Sequence, residues 1–188
     1  MKKVFLVAIL AIASVSFMNA QNEVKDTYNE VKSQVQGGGP RAIGGNLGGH
    51  VGFSYQHGLS NGNMIDVAAS FTPFGWLGVS AQVCYDWLNP FNTQIPWDKK
   101  GEWNWAMGVG LGGGVLFGHN TFGGHVGVAG HVGVAYDFWF PLELSIDWRP
   151  EIGPNIITTK ADDGTSSTAV GFHMPGLYGV SLGVRYLF

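Results

Sequence analysis

The segments LELSIDWRPEIGPNIITTK (residues 142–160) and YGVSLGVRYLF (residues 178–188) decide the fold. In the first the even positions up to Ile156 are apolar, and in the second all even positions are apolar; the odd positions up to Arg185 are mostly small, polar or charged. This period-two alternation predicts two long strands, each with one apolar and one polar face. Glu143, Asp147 and Arg149 share the polar face, which is too much charge for a dry core without pairing. We therefore expect lipid outside and water or salt bridges inside, as in a transmembrane β-barrel.

The N-terminus independently indicates export. Lys2 and Lys3 precede an apolar run from Val4 to Val15, and small or polar residues follow up to Ala20. This is the layout of a secretory signal peptide over residues 1–20, and the run is too short for a spanning helix. We expect export across the inner membrane to the outer membrane of a Gram-negative bacterium.

Composition supports a membrane barrel over a soluble β-sandwich. The 188 residues include 30 glycines, more than twice the usual share of about 7%. Charged residues make up 12%, against about 25% in soluble domains. A net charge of −3 argues against a nucleic-acid partner, which needs a basic face. One cysteine, Cys84, excludes an intramolecular disulfide framework.

Residues 21–40 differ from the rest of the chain. Val24, Tyr28, Val31 and Val35 follow helical spacing, and glycines and Pro40 then end the pattern. This predicts a short N-terminal amphipathic helix and a Gly-rich linker on the periplasmic side. The helix is either a solvated segment, or a plug or docking helix for another envelope component.

Residues 41–188 form the predicted barrel. Seven strand runs are evident, whereas bacterial single-chain barrels have an even number, so we predict eight antiparallel up-and-down strands. Either Ile152–Thr159 is a separate strand, or the first run is two strands that turn at Gly48-Gly49. The outward phase of the strand from Leu142 continues through Ile156. We therefore treat Leu142–Thr158 as one tall strand and Arg41–Leu47 as the first strand.

This choice sets the orientation of the barrel. It places Ile152–Val170 outside the cell and Asn89–Lys100 in the periplasm. The tall strand exceeds the roughly 9–11 residues that cross a bilayer. The hairpin of residues 152–170 is therefore the expected contact element for an extracellular or envelope protein partner.

The inward faces carry the candidate functional residues. Those expected to form a polar network in the lumen are Asp86, Glu102, His131, Glu143, Asp147, Arg149 and Arg185. His131 should lie roughly across from Asp147. A His131–Asp147 pair with Ser145 or Ser181 would instead suit nucleophilic, lipid-modifying catalysis. We favour a structural salt-bridge network, because buried charges must be paired, and we expect no catalytic residue.

No metal site or cofactor is expected. His125 and His131 lie about 20 Å apart along a strand at roughly 3.3 Å per residue. A single zinc ion needs ligand nitrogens at about 2 Å, so it cannot bind both.

Glycine is unusually frequent at inward positions: Gly108, Gly110, Gly112, Gly114, Gly127, Gly133, Gly179 and Gly183. The lack of side chains at these inward positions leaves three interpretations open: strong strand curvature with close packing, room for an N-terminal plug, or a cavity for an acyl chain or small ligand. An open ion pore is disfavoured, because such channels have about 16 strands.

Aromatic residues cluster near strand ends, as in the two girdles of a membrane barrel. The last five residues, with Tyr186 and Phe188, resemble the C-terminal signal that the barrel-assembly machinery recognises. We expect this machinery and outer-membrane lipid to be partners.

Four segments carry a family resemblance: LGVSAQVCYDWLNPF (77–91), NWAMGVGLGGGVLFG (104–118), HVGVAYDFWFPLELSIDWRP (131–150) and LGVRYLF (182–188). They resemble a family of small, signal-bearing outer-membrane β-barrel proteins of Gram-negative bacteria. Asp147-Trp148-Arg149-Pro150 is its more specific motif. The family mostly lacks an assigned activity, so the resemblance implies fold and location. The expected function is structural or surface interaction; lipid modification, lipid or small-ligand binding and a narrow pore are the alternatives.

Overall fold

The computed structural model describes residues 38–49, 51–60, 62–72, 77–91, 101–161, 164–174 and 179–188. The expected signal peptide and N-terminal helix lie outside these residues, as do His50, Tyr178 and the segment 92–100. Across the described ranges the regular structure is entirely β. Within these ranges there is no helix long and apolar enough to cross a membrane.

Ten β-segments make up the fold. They are β1 (Gly39–Gly48), β2 (Gly52–Gly58), β3 (Met64–Thr72), β4 (Leu77–Pro90), β5 (Gly101–Gly118), β6 (Thr121–Phe138), β7 (Leu142–Trp148), β8 (Glu151–Lys160), β9 (Ser166–His173) and β10 (Val180–Leu187).

The segments form a closed antiparallel barrel of eight strands. Neighbours in sequence pair from β1 to β6, and β1 also pairs with β10. β7 and β8 pair with consecutive stretches of β6, so together they are one strand interrupted at Arg149-Pro150. β9 and β10 likewise lie along β8 and β7. The prediction that Arg41–Leu47 forms the first strand is confirmed, and the predicted tall strand is present with one interruption.

The register determines the shape of the barrel. A path of paired residues leaves β6 at Ala135 and returns to β6 ten residues away, through Ser145, Gly183, Asn46, Gly52, Ser70, Ser80, Gly114 and His125. Ten residues are roughly 33 Å and eight strand spacings roughly 38 Å, so the strands tilt by about 40°. An eight-stranded barrel of this kind has an interior that side chains can fill.

The predicted faces are confirmed. Large apolar side chains point outward on every strand; examples are Ile43, Phe53, Phe71, Val83, Leu111, Val128, Ile146 and Leu182. Leu111 is 67% exposed, whereas Arg185 is 1% exposed. The barrel is therefore apolar outside and charged inside.

Both ends of the described chain lie at one end of the barrel, which we call the lower end. The Phe188 amide donates to the Arg41 carbonyl there, over 3.0 Å. The opposite, upper end carries the turns after β1, β3, β5 and β8. The loops 59–63 and 161–165 lie at opposite ends with matching hydrogen bonds and a glycine of positive φ, Gly62 or Gly164.

The barrel wall is uneven in height. From Leu142 to Lys160 the tall strand covers 19 residues, whereas β2 covers 7. At about 3.3 Å per residue and the tilt above, these lengths correspond to roughly 45 Å and roughly 15 Å along the barrel axis. β8 and β9 therefore project above the short β1–β2 side.

Candidate functional site

The lower and middle lumen is filled by charged side chains. Six carboxylates, three guanidinium groups and one imidazole are buried there: Asp66, Asp86, Asp137, Glu143, Asp147, Glu151, Arg41, Arg149, Arg185 and His131. We call these ten residues the lumen network. Each is placed by the inward phase of its strand, and together they replace the apolar core of a soluble protein.

Arg185 on β10 is the most highly connected member of the lumen network. Its Nη1 donates to Glu143 Oε1 and its Nη2 to Asp147 Oδ2, both at 2.6 Å. Its Nε donates to Ser54 Oγ at 2.6 Å, and further bonds reach Ser145 and Asn46. Charge-assisted bonds of this length are strong, and their geometry ties β10 to β7, β2 and β1.

Arg41 on β1 pairs the carboxylates at the lower end. Its Nη1 lies 2.6 Å from Glu143 Oε2 and its Nη2 lies 3.1 Å from Asp137 Oδ2. Nη1 also donates to Gln56 Oε1, and Asn104 Nδ2 donates to Asp137 Oδ2 at 2.9 Å. Glu143 therefore bridges Arg41 and Arg185, which joins the two guanidinium groups into one array.

His131 on β6 lies between two carboxylates. Its Nδ1 is 2.5 Å from Asp86 Oδ2, and its Nε2 is 3.0 Å from Asp147 Oδ1. Carboxylates only accept, so a ring with a proton on both nitrogens satisfies both contacts. Such a ring has no lone pair left with which to activate a serine hydroxyl.

The candidate serines point elsewhere. Ser145 Oγ donates to Asp147 Oδ2 at 2.7 Å, and Ser181 Oγ donates to the Asp147 carbonyl at 3.4 Å. Nucleophilic catalysis needs a hydrogen bond between the nucleophile and its base. The geometry brings His131, Asp147 and both serines together but does not form that arrangement.

Two smaller groups of contacts lie above this level. Arg149 Nη1 lies 2.6 Å from Asp66 Oδ1. Nearer the upper end, Glu151 accepts from Gln82 Nε2 at 3.0 Å and lies 3.3 Å from His125 Nε2. Arg149 and Glu151 flank Pro150, where the tall strand is interrupted, so charges line its inner side at that point.

The inward glycines make room for these charged side chains. A Cβ at Gly108 would lie 1.7 Å from Asp86 Oδ1, and one at Gly112 would lie 2.4 Å from Glu151 Oε2. At Gly183 it would lie 2.2 Å from Ser145 Oγ. At Gly44 and Gly110 it would instead meet the backbone oxygen of the adjoining strand. Some inward glycines thus allow adjoining strands to pack closely, and others leave space for charged side chains. Little empty space remains beside them.

One small cavity remains among these side chains. The cavity beside Arg41, Gln56, His131 and Arg185 holds about 10 Å³. This is room for about one water molecule. Asp66, Asp86 and His131 could offer three metal-ligand atoms within 4.8 Å of one another. However, Asp86 contacts His131 and Asp66 contacts Arg149, so these atoms already belong to the lumen network.

The structure brings most of the predicted site residues together. Asp86, His131, Glu143, Asp147, Arg149 and Arg185 all lie in the lumen network. Glu102 is half-buried at the lower end, where it is the register partner of Asp137. The register partner of Asp147 is Gly133, and His131 reaches Asp147 diagonally from two residues further along β6.

The prediction missed four members of the lumen network: Arg41, Asp66, Asp137 and Glu151. The alternation already placed Asp66 and Asp137 on inward faces, and Arg41 on the first strand. Their partners lie far away in sequence, for example 83 residues for Asp66 and Arg149. A sequence pattern does not give the register that brings such residues together.

Comparisons with protein-family models, curated proteins and solved structures found no match to this chain.

Proposed function

We propose that this chain is a small outer-membrane β-barrel of a Gram-negative bacterium with a structural or surface-interaction role. The observation that carries the proposal is the inverted surface: exposed large apolar side chains on every strand, around a lumen of buried charged residues joined by ion pairs. Burying apolar surface is the main favourable term in folding, at roughly 25 cal/mol per Å². Hydrocarbon would shield this exterior, whereas water would leave it exposed. The resemblance noted in the sequence supports the same location.

Heat-modifiability tests the membrane barrel. The protein is extracted from outer membranes in mild detergent, and boiled and unboiled samples are compared by gel mobility. We expect a mobility shift, because a closed barrel held by the lumen network resists detergent until it is heated. Recovery of the protein in the soluble fraction, with no shift, would contradict the proposal.

The hairpin of β8 and β9 is the proposed contact element, and it would face outward from the cell. The loops 161–165 and 59–63 provide a matched pair, because they share two hydrogen bonds and a glycine of positive φ and lie at opposite ends of the barrel. An epitope inserted in loop 161–165 should bind antibody on intact cells. The same epitope in loop 59–63 should bind only after the outer membrane is opened. The reverse result would place the hairpin in the periplasm.

The alternative functions have weaker support. The lumen leaves room for about one water molecule beside Arg185. We therefore expect no conductance in planar bilayers. His131 contacts carboxylates through both ring nitrogens, so no observation favours lipid modification, and we expect unchanged lipid masses when the protein is expressed.

A further inference from the structure

β9 forms an open sheet edge at the upper end. From Ser166 to His173 it pairs with β8, and within the described residues it has no strand on its other side. Below it, β10 pairs with both β7 and β1. Just past β1, the Gly49 amide donates to the Val180 carbonyl at 2.9 Å. Above this point no described residue of the short β1–β2 side pairs with the final strand.

This edge lacks the usual protection against strand pairing. Natural edge strands carry lysines, prolines, bulges or inward charges that prevent another strand from adding. The segment SSTAVGF, residues 166–172, contains no charged residue and no proline. It contains threonine, valine and phenylalanine, which favour extended structure. A neutral segment of this kind is well suited to receive another strand.

Neither the N-terminal segment of this chain nor β9 of a second copy fits the open edge of β9. The N-terminal segment enters β1 at Gly39, at the lower end, and the lumen network fills the path between there and β9. Two upright copies in one membrane would be related by a two-fold axis along the membrane normal. Each residue of β9 would then lie at the same height as the same residue of the second copy, but their side chains would point to opposite faces of the sheet. A pleated sheet requires neighbours at one height to share a face, so the symmetric β9 pair is excluded.

We propose that β9 binds an extended segment of a different polypeptide by strand addition, an inference that rests on the proposed contact role of the hairpin. In this binding mode main-chain hydrogen bonds give affinity, and alternate side chains give specificity.

The faces of β9 define the chemistry of the partner. Val170 is 75% exposed and Phe172 is 66% exposed, and both point outward with Thr168. The inward positions are the small residues Ser167, Ala169 and Gly171. Cross-strand neighbours on one face stabilise each other when both are β-branched or aromatic. The partner segment is therefore about seven residues long, neutral and proline-free, with apolar residues alternating with small polar ones.

The test uses the full chain in lipid nanodiscs and a defined peptide. The probe has four valine-serine repeats between two lysines and carries a fluorophore. In the control peptide the backbone nitrogens of a central valine and the adjacent serine are methylated. This removes one amide donor from each edge of the peptide, so that neither edge can form a complete set of main-chain hydrogen bonds. We expect saturable binding of the probe and at least tenfold weaker binding of the control. Absence of binding, or equal binding of both peptides, would overturn strand addition at this edge.

Two proline variants locate the binding edge. Adjacent amides in a strand point to opposite edges, so Ala169→Pro and Val170→Pro remove one amide towards β8 and one towards the open side. One variant should keep the hydrogen-exchange protection of the β8–β9 ladder and lose probe binding at least tenfold. If the variant that keeps the ladder also keeps binding, the edge assignment is wrong.

A loop variant separates this inference from the proposed function. Replacing loop 161–165 by a Gly-Ser linker should leave probe binding unchanged if the edge is the docking surface. Loss of probe binding in this variant alone would assign the contact to the loop at the tip. The proposed contact role of the hairpin would then stand, and strand addition at the β9 edge would be wrong. The antibody experiment on intact cells tests the location of the hairpin whatever the peptide does.

Discussion

The lower barrel and the β8–β9 hairpin are built from the same alternating pattern, yet their inward faces have different environments. In β10 the inward residues Ser181, Gly183 and Arg185 are buried against the strands across the lumen. In β9 the inward residues Ser167, Ala169 and Gly171 are exposed. β1 and β2 end too low to stand opposite them. Alternation therefore defines two faces, but only closure of the ring turns one of them into an interior.

The lower barrel and the hairpin also differ in what stabilises them. Around the lower lumen, arginines tie distant strands together through short, charge-assisted bonds. The hairpin has ladder bonds and side-chain contacts such as the Thr158–Thr168 hydroxyl pair, 3.1 Å apart. We expect substitutions in the lumen network to affect folding strongly and substitutions in β9 to affect it little.

The largest effect is expected for Arg185→Ala. This change leaves Glu143 and Asp147 buried without one of their cationic partners. Breaking a buried ion pair in this way typically costs about 3–5 kcal/mol. Urea unfolding of the refolded barrel in detergent or lipid should show this loss.

A matched control lies on β9. Thr168→Ala removes an exposed hydroxyl at the Thr158 pair and should change the free energy of unfolding by less than about 0.5 kcal/mol. If both variants unfolded at the same urea concentration, the proposed contrast between network and hairpin would be lost.

A smaller effect is expected for Gly108→Ala. The new Cβ would lie 1.7 Å from Asp86 Oδ1, so Asp86 would have to move away from its contact with His131. Overpacking of this kind costs typically about 1–3 kcal/mol. Thermal unfolding of the variant barrel measures this cost.

Gly124→Ala is the control for this glycine. It lies on the neighbouring strand β6, and its nearest atom to a new Cβ is the Gly114 oxygen at 3.6 Å, an ordinary contact. We expect no loss of stability there, and a small gain because alanine restricts the unfolded chain. Equal destabilisation at both positions would mean that the inward glycines do not serve to make room for charges.

The smallest effect is expected when residues 160–167 are replaced by a short Gly-Ser turn. The described residues of this stretch, 160–161 and 164–167, are all exposed, so their replacement removes little buried surface. Heat-modifiability and unfolding should be unchanged within experimental error. A variant that no longer folds would show that the hairpin is part of the stabilising core.

The alternation in the sequence was sufficient for seven strand runs and for the inward or outward direction of most of their described side chains. Because the phase of Leu142–Thr158 continues across Arg149-Pro150, the tall strand could be recognised despite its interruption. The parity of strand number then identified Arg41–Leu47 as the hidden first strand. These inferences succeed because they depend on local periodicity and on closure.

The contacts in the lumen were harder to predict because they depend on register and side-chain reach. His131 contacts Asp147 although Gly133 is its register partner, since a long side chain can reach a diagonal neighbour. Arg41 meets Asp137 across 96 residues of sequence, through a pairing that no local pattern encodes. The uses of the inward glycines could be proposed from sequence, but choosing among them required the position of Asp86 opposite Gly108.

The apolar exterior of the barrel should face lipid, and the accessibility of spin labels placed on it tests this. In a Cys84→Ser background, single labels at Leu111→Cys and Leu182→Cys report the exterior, and a label at Thr165→Cys reports the upper loop. In reconstituted bilayers, the two exterior labels should be more accessible to oxygen than to a water-soluble nickel complex. The loop label should show the opposite preference. If the exterior labels were as accessible to the nickel complex as the loop label, the apolar surface would not lie in the membrane, and the proposal of a membrane barrel would be wrong.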